Sequence, residues 1–476
     1  MIFIASAVGS GPSSGSWRSA LLAATLSLVL TGVAAGAEVQ NPPASTSDSA
    51  GWSLRGDAAP GALESIAATP IASAVRVVQF GDVTRLAFDL TSAVDVRAFV
   101  LASPARAIID LPETIFAMVP PAAPVAPVRH GRKAVKARSE ASGLIASYRF
   151  GRLGAGRSRI VIDLAQPARI IRADVEQTAT GLQLSIDLGR TDRAAFAAAA
   201  ASSMASGANV AAAGPASDAV PPKKAGDTRP VIVLDPGHGG VDVGAAGPGK
   251  TVEKDIVFDF SKALARQLEA SGRFAVMLTR TDDVFVPLAE RVRIARRANA
   301  QLFVSIHADT LNEGGVSGAT VYTVSDRASD AHAAKLAEKE NFADKAAGYE
   351  AAEDKSEITD ILFDLTRRET RAYSHVFART LVSVWKDAAR LNKNPHRSAG
   401  FLVLKAPDVP SVLLELGYLS SEKDAALLMA PEWREKTAAA VARSIDQFFG
   451  MRTAPKPGGA AGTADPNGGV AAALNN

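Results

Sequence analysis

Apolar residues in this chain fall into two textures. The first runs from Val231 to Leu234, four apolar residues that stop at Asp235-Pro236 and the turn Gly237-His238-Gly239-Gly240. An unbroken apolar run with turn signals behind it reads as a buried, parallel strand. It predicts His238 at a strand's C-terminal edge, where open α/β sheets place their chemistry. Behind it, Ile256, Phe260, Ala263, Leu264 and Leu268 repeat at helical spacing and predict a helix over Glu253–Ala270, stopped by Ser271-Gly272. Strands then follow over Phe274–Leu278, Leu302–Ile306, Thr320–Val324, Phe401–Leu404 and Val412–Leu416. Helices are expected over Leu288–Ala298, Ser329–Phe342, Ile358–Ala389 and Glu432–Phe449. The alternation predicts a three-layer α/β unit over residues 230–450.

The second texture, residues 73–190, consists of short β-branched runs with an internal duplication. Arg85-Leu-Ala-Phe-Asp-Leu90 matches Arg159-Ile-Val-Ile-Asp-Leu164, and each is followed by an Ile-Asp-Leu strand, at 109–111 and 186–188. Two such sets predict a small all-β sandwich made of two related halves. Pro120–Arg138, Pro-rich and then basic, reads as a long exposed loop between them. Residues 38–72, 191–229 and 451–476 are rich in Ala, Ser, Gly and Pro and read as leader, linker and tail, with a short Ala-rich helix near Ala194–Ala201.

Composition narrows the chemistry. The chain has 476 residues, a net charge of +3 and no cysteine. Near-balanced charge gives no argument for nucleic acid, and the missing thiols exclude disulfides and Cys-ligated metal. Arg18 precedes the apolar stretch Ala20–Val33, and Ala35-Gly36-Ala37 fits a cleavage site, so residues 1–37 read as a secretory signal peptide cut near Ala37. The uncleaved alternative is a membrane anchor, but the run is shorter than the roughly 20 residues of a span. No membrane span is expected in the mature form.

His238 and His307 end predicted buried strands, Glu415 ends a third, and Glu253 opens the helix after the His238 loop. Two imidazoles and a carboxylate with one position left open are a hydrolytic zinc set. A further carboxylate outside the coordination shell can carry the proton. Taken singly, each residue has a plain structural reading: a hydrogen-bonded strand-end histidine, or a glutamate complementing a helix dipole. The glycine loop lacks the Lys-Ser/Thr and G-x-G-x-x-G patterns of a phosphate cradle.

V-L-D-P-G-H-G-G at 233–240, Glu253, L-T-R-T-D at 278–282, F-V-S-I-H-A-D at 303–309 and S-V-L-L-E-L-G-Y-L-S at 411–420 closely resemble the zinc-dependent N-acetylmuramoyl-L-alanine amidases of bacteria. The resemblance implies a mixed, twisted sheet with helices on both faces. It implies one Zn2+ on His238, Glu253 and His307, with Glu415 as the catalytic glutamate. The implied reaction is cleavage of the amide between N-acetylmuramic acid and the L-Ala of the stem peptide. Residues 73–190 resemble the AMIN domain of cell-division members, implying peptidoglycan as ligand, a periplasmic location and a role in septal wall splitting. Lys339-Glu340-Asn341-Phe342-Ala343-Asp344 is similar to a segment that covers the zinc until an activator, here a LytM/EnvC-like protein, displaces it. Glu340 then either caps the metal or is an ordinary surface residue. A zinc peptidase acting on stem-peptide bonds and a non-catalytic wall-binding protein are the competing readings.

Overall fold

The computed structural model describes residues 68–118, 143–154, 156–206, 226–249, 251–310, 316–350 and 361–453. The expected signal peptide, the Pro-rich basic loop, residues 207–225 of the linker and residues 454–476 of the tail lie outside them. Among the described residues no helix is long and apolar enough to cross a membrane.

The β domain holds β1 (Ile71–Phe80), β2 (Val83–Leu90), β3 (Arg97–Leu101), β4 (Arg106–Pro112), β5 (Ile115–Phe116), β6 (Ile145–Gly154), β7 (Arg157–Leu164), β8 (Ala168–Thr178) and β9 (Gly181–Arg190). Its sheets run β5-β1-β2-β9-β8 and β3-β4-β7-β6. The duplication explains this order, because each half gives one hairpin to each sheet and the two halves meet at the sheet centres. Thus β2 pairs with β9, Arg85 opposite Asp187, and β7 pairs with β4, Arg159 opposite Asp110. Alternate residues such as Leu86, Phe88, Ile160 and Ile162 fill the space between the sheets. The Ala-rich helix, α1 (Arg193–Ala205), is capped by Asp192 and buries Phe196 and Ala200 in the same core.

The second unit holds β10 (Val231–Pro236), α2 (Glu253–Ala270), β11 (Ala275–Leu278), α3 (Leu288–Arg297), β12 (Leu302–His307), β13 (Ala319–Val324), α4 (Ala331–Asn341), α5 (Ala343–Ala346), α6 (Ile361–Trp385), β14 (Leu391–Ala399), β15 (Ser411–Glu415), α7 (Glu422–Leu428) and α8 (Pro431–Thr453). The sheet order is β11-β10-β12-β15-β13-β14. Only β13 runs antiparallel to its neighbour β15; the other pairs are parallel. Ile232 and Leu234 face a core formed with α2, α6 and α8. Val231 and Val233 face the opposite core, formed with α3 and α4. Burial on both faces is why these strands read as continuous apolar runs.

One expected strand is absent. Leu402–Leu404 is a single 3-10 turn in which Val403 and Leu404 pack with α3 and α4 while Leu402 is exposed. The edge strand is instead β14, whose sequence LNKNPHRSA carries no apolar alternation. It pairs with β13 alone, and an edge position tolerates both polar residues and a proline.

Phe196→Ala should cost the β domain about 3 kcal/mol by stripping α1 from the sandwich core. Chemical denaturation followed by tryptophan-independent circular dichroism measures it, and an unchanged midpoint would mean that α1 contributes nothing to that core.

Candidate metal centre

The loop after β10 is built by two buried arginines. Asp235 accepts from Thr279 Oγ1 at 2.6 Å, Ser305 Oγ at 2.7 Å and Arg291 Nη1 at 2.7 Å. Arg291 also donates to the carbonyls of Pro236 and His238, each at 2.8 Å. Arg280 donates to the carbonyls of Pro236 and Gly237, each at 3.1 Å. These carbonyls have left the sheet and need other donors. Their anchoring lets His238 hold a left-handed backbone, φ 58°, at a cost of about 1–3 kcal/mol for a non-glycine residue. Gly237 leaves room for a neighbour: a Cβ there would lie 2.5 Å from the His307 ring.

Five sequence-predicted residues meet at this edge. His238 Nε2 lies 3.1 Å from Glu253 Oε2, and His307 Nδ1 lies 3.3 Å from Glu253 Oε1. The Glu253 oxygens also accept from the amides of Ala245 and Ala308, both at 2.8 Å, which fixes the carboxylate. Glu340 enters from α4: Oε2 is 3.1 Å from His307 Nδ1 and 3.6 Å from His238 Nε2. It is not a surface residue, with only 4% of its area exposed. Glu415 stands on β15 opposite His307 of β12; its Oε2 accepts from the Asp309 amide at 3.1 Å.

Sequence reasoning missed several neighbours. Asp242 Oδ2 lies 2.9 Å from His238 Nδ1, which orients that ring. Lys339 pairs with the buried Asp309. Asp242 follows His238 by four residues on a loop, a spacing without a periodic signal. Arg280 lies within the quoted L-T-R-T-D stretch, but its task is set by carbonyls distant in sequence.

The electrostatics favour positive charge. Burial opposes a charged His238, yet Asp242, Glu253 and Glu340 together raise its pKa well above the usual value. Burial likewise opposes charge on His307, and Glu340 and Glu253 raise it to about 10. Glu253, although buried, is held well below the usual carboxylate range by the two imidazoles. Glu415 goes the other way: burial, with Glu253 and Glu340 nearby, raises it far above that range despite the counter-pull of His307. His238, His307 and Glu340 each offer one ligand atom, all within 4.8 Å of one another. His238 Nε2, His307 Nδ1 and Glu340 Oε1 are buried without hydrogen-bond partners, the pattern of a donor set that fits a cation.

Fold and donor set together define a class: an α/β unit with a buried group able to hold a metal ion at the C-terminal edge of its sheet. A family model for N-acetylmuramoyl-L-alanine amidase matches residues 232–447, and one for the AMIN domain matches residues 74–188. N-acetylmuramoyl-L-alanine amidase AmiA of Escherichia coli (strain K12) is 39% identical over 228 residues, 48% of this chain and 78% of that protein. AmiC of Escherichia coli O6:H1 is 37% identical over 237 residues, 49% of this chain and 57% of that protein. AmiC of Neisseria meningitidis serogroup B is 36% identical over 222 residues, 46% of this chain and 53% of that protein. The match therefore spans most of AmiA and little more than half of each AmiC. The chain belongs to the N-acetylmuramoyl-L-alanine amidases.

The segment after Glu340 carries its own titratable group. The first amide of α3, at Leu288, has no local side-chain cap and donates to Asp344 Oδ1 at 2.9 Å. Burial pushes Asp344 up to about 6, with the Leu288 amide and Arg291 pulling it back. Once released, the carboxyl returns to its ordinary value, so the packed segment binds the proton more tightly. The packed form thus weakens as pH rises from about 4 through about 6. Amide exchange of residues 339–350 should quicken across that window beyond the intrinsic rate. Asp344→Asn keeps the acceptor, so it should flatten the dependence and slow exchange at neutral pH; an unaltered pH profile would contradict the assignment.

Proposed function

We propose that this chain is a zinc-dependent peptidoglycan amidase, with His238, Glu253 and His307 holding the ion and Glu415 moving the proton. The observation that carries this is the convergence of two unpartnered imidazole nitrogens and the fixed Glu253 carboxylate at one sheet edge. When bound, zinc supplies Lewis-acid charge that acidifies water and polarises a carbonyl. Asp242 keeps Nδ1 of His238 engaged and leaves Nε2 free for the site. Glu253 is fixed by two backbone amides, so it needs no rearrangement. Glu415 is buried, one oxygen on the Asp309 amide and the other unpartnered. A carboxyl whose pKa is raised suits a group that takes a proton from water and returns it to the leaving amine. The substrate read from the family is the amide between N-acetylmuramic acid and L-Ala.

Glu340 lies against both imidazoles, in the space a substrate carbonyl and water require. We read this arrangement as a closed, autoinhibited state that an activator of the LytM/EnvC type displaces. Inverting a 99:1 preference for the closed state takes ~5.5 kcal/mol of differential affinity. The export signal read in residues 1–37 supports action in the periplasm, and the AMIN match supports tethering to the wall during septal splitting.

Glu415→Gln should lower turnover on the order of 10²- to 10⁴-fold while zinc content is retained. His307→Ala should lose both, as read by elemental analysis and by mass spectrometry of fragments released from peptidoglycan. Full zinc and full turnover in His307→Ala would refute the ligand set, and zinc loss in Glu415→Gln would make Glu415 a ligand. Glu340→Ala should raise basal hydrolysis of dye-labelled peptidoglycan at matched zinc content. Equal or slower hydrolysis would turn the segment into a substrate-binding lid.

A further inference from the structure

The two faces of the β sandwich share one frame of charged residues but differ in what lies between. In the five-stranded sheet Arg76 pairs with Asp89 at 2.5 Å and Arg85 with Asp187 at 2.6 Å. In the four-stranded sheet the duplicated positions repeat this: Arg149 with Asp163 at 2.7 Å and Arg159 with Asp110 at 2.6 Å. Register then aligns the rest. Arg172 opposite Asp187 matches Arg97 opposite Asp110, so Asp174 and Ser185 correspond to Phe99 and Ile108. Likewise Glu176 and Gln183 correspond to Leu101 and Arg106. Asp174, Ser185 and Glu176 of one outer face are therefore replaced by apolar residues on the other, while Gln183 is replaced by Arg106.

That apolar face is covered by the chain just beyond Glu340. Phe99, Leu101, Ile108 and Val161 form one buried cluster with Val241, Phe285 and Ala347, and Tyr349 packs against it. The arginines of the frame take the segment's carbonyls. Arg106 donates to Lys345 O and pairs with Glu350 at 3.2 Å. Arg149 Nε donates to Ala346 O at 2.8 Å, and Arg159 Nη1 to Gly348 O at 2.7 Å. Ala346 ends α5, where carbonyls lack intrahelical donors; Lys345 O also accepts from the Gly348 amide, and charge-assisted donors are the strong ones. The fit is close: Gly348 has φ +68°, and a Cβ there would lie 2.6 Å from Ile108 Cδ1.

We propose that the β domain has a further function: the outer face of its four-stranded sheet is the clamp that holds residues 344–350, and with them Glu340, over the metal centre. This rests on reading the Glu340 arrangement as a closed state. The domain then restrains the enzyme as well as carrying it, and whatever takes those arginines or that apolar face opens the site.

The test uses the full chain. Arg149→Gln removes a donor from the segment at a partly exposed ion pair, and Gly348→Val wedges the seat from the amidase side, leaving the sandwich core alone. Arg76→Gln is the control, the duplicated position on the open sheet. Hydrogen–deuterium exchange of residues 336–350 should quicken about tenfold in the first two, the scale of one lost charged hydrogen bond, and stay at the wild-type rate in Arg76→Gln. Basal peptidoglycan hydrolysis should rise in the same two variants, with no further gain when Glu340→Ala is added. Unchanged exchange in both clamp variants would overturn the clamp, whatever the activities. Faster exchange with unchanged activity, when Glu340→Ala alone is activated, would also overturn it. Faster exchange with no activation by any variant, Glu340→Ala included, would leave the clamp standing and remove the autoinhibition reading instead.

Discussion

The buried pair of Asp235 and Arg291 is the interaction on which the centre depends. Asp235 is fully buried at the end of the first strand of its sheet, and Arg291 comes from α3 on one face. Nη1 of the guanidinium serves both Asp235 and the Pro236 carbonyl, Nη2 the His238 carbonyl and Nε the Val286 carbonyl. Breaking such a pair from one side typically costs about 3–5 kcal/mol, because a charge is left buried alone. Here it would also release the turn that presents His238. A strained backbone is thereby held in place by a buried hydrogen-bond network.

The same site shows how proximity sorts acids by role. Three carboxylates, from Asp242, Glu253 and Glu340, surround two imidazoles and lose their protons readily in that company. Glu415 is as buried as they are, yet there desolvation, with the like charge of Glu253 and Glu340, outweighs the pull of His307. Environment, more than residue type, sets the ionisation of these acids apart.

Much of this was readable in the chain. The double-sided burial of β10, β12 and β15 forces uninterrupted apolar runs, so the strands and the residues at their ends announce themselves. The duplication at Arg85 and Arg159 announced the two-part sandwich. What stayed hidden depends on distant partners. β14 is polar because it lies at an edge, and Phe401–Leu404 imitates a strand while forming a turn that buries Phe401, Val403 and Leu404. Arg280, Arg291 and Asp242 act on groups that only the folded turn brings within reach. The burial of Glu340, undecided from periodicity, follows from where α4 crosses the sheet edge.

The duplicated sandwich has a consequence for the order of events at a surface. Its two outer faces lie on opposite sides of one rigid core. The five-stranded face leaves Arg76, Arg85 and Arg172 partly exposed, with side chains 44%, 25% and 32% accessible. The other face is already occupied by the chain's own residues. A molecule captured on the free face does not compete with them. On the proposed closed state of Glu340, arrival and release become separate decisions: the protein would be moored and still silent, and unlocking would take a second signal delivered to the opposite side.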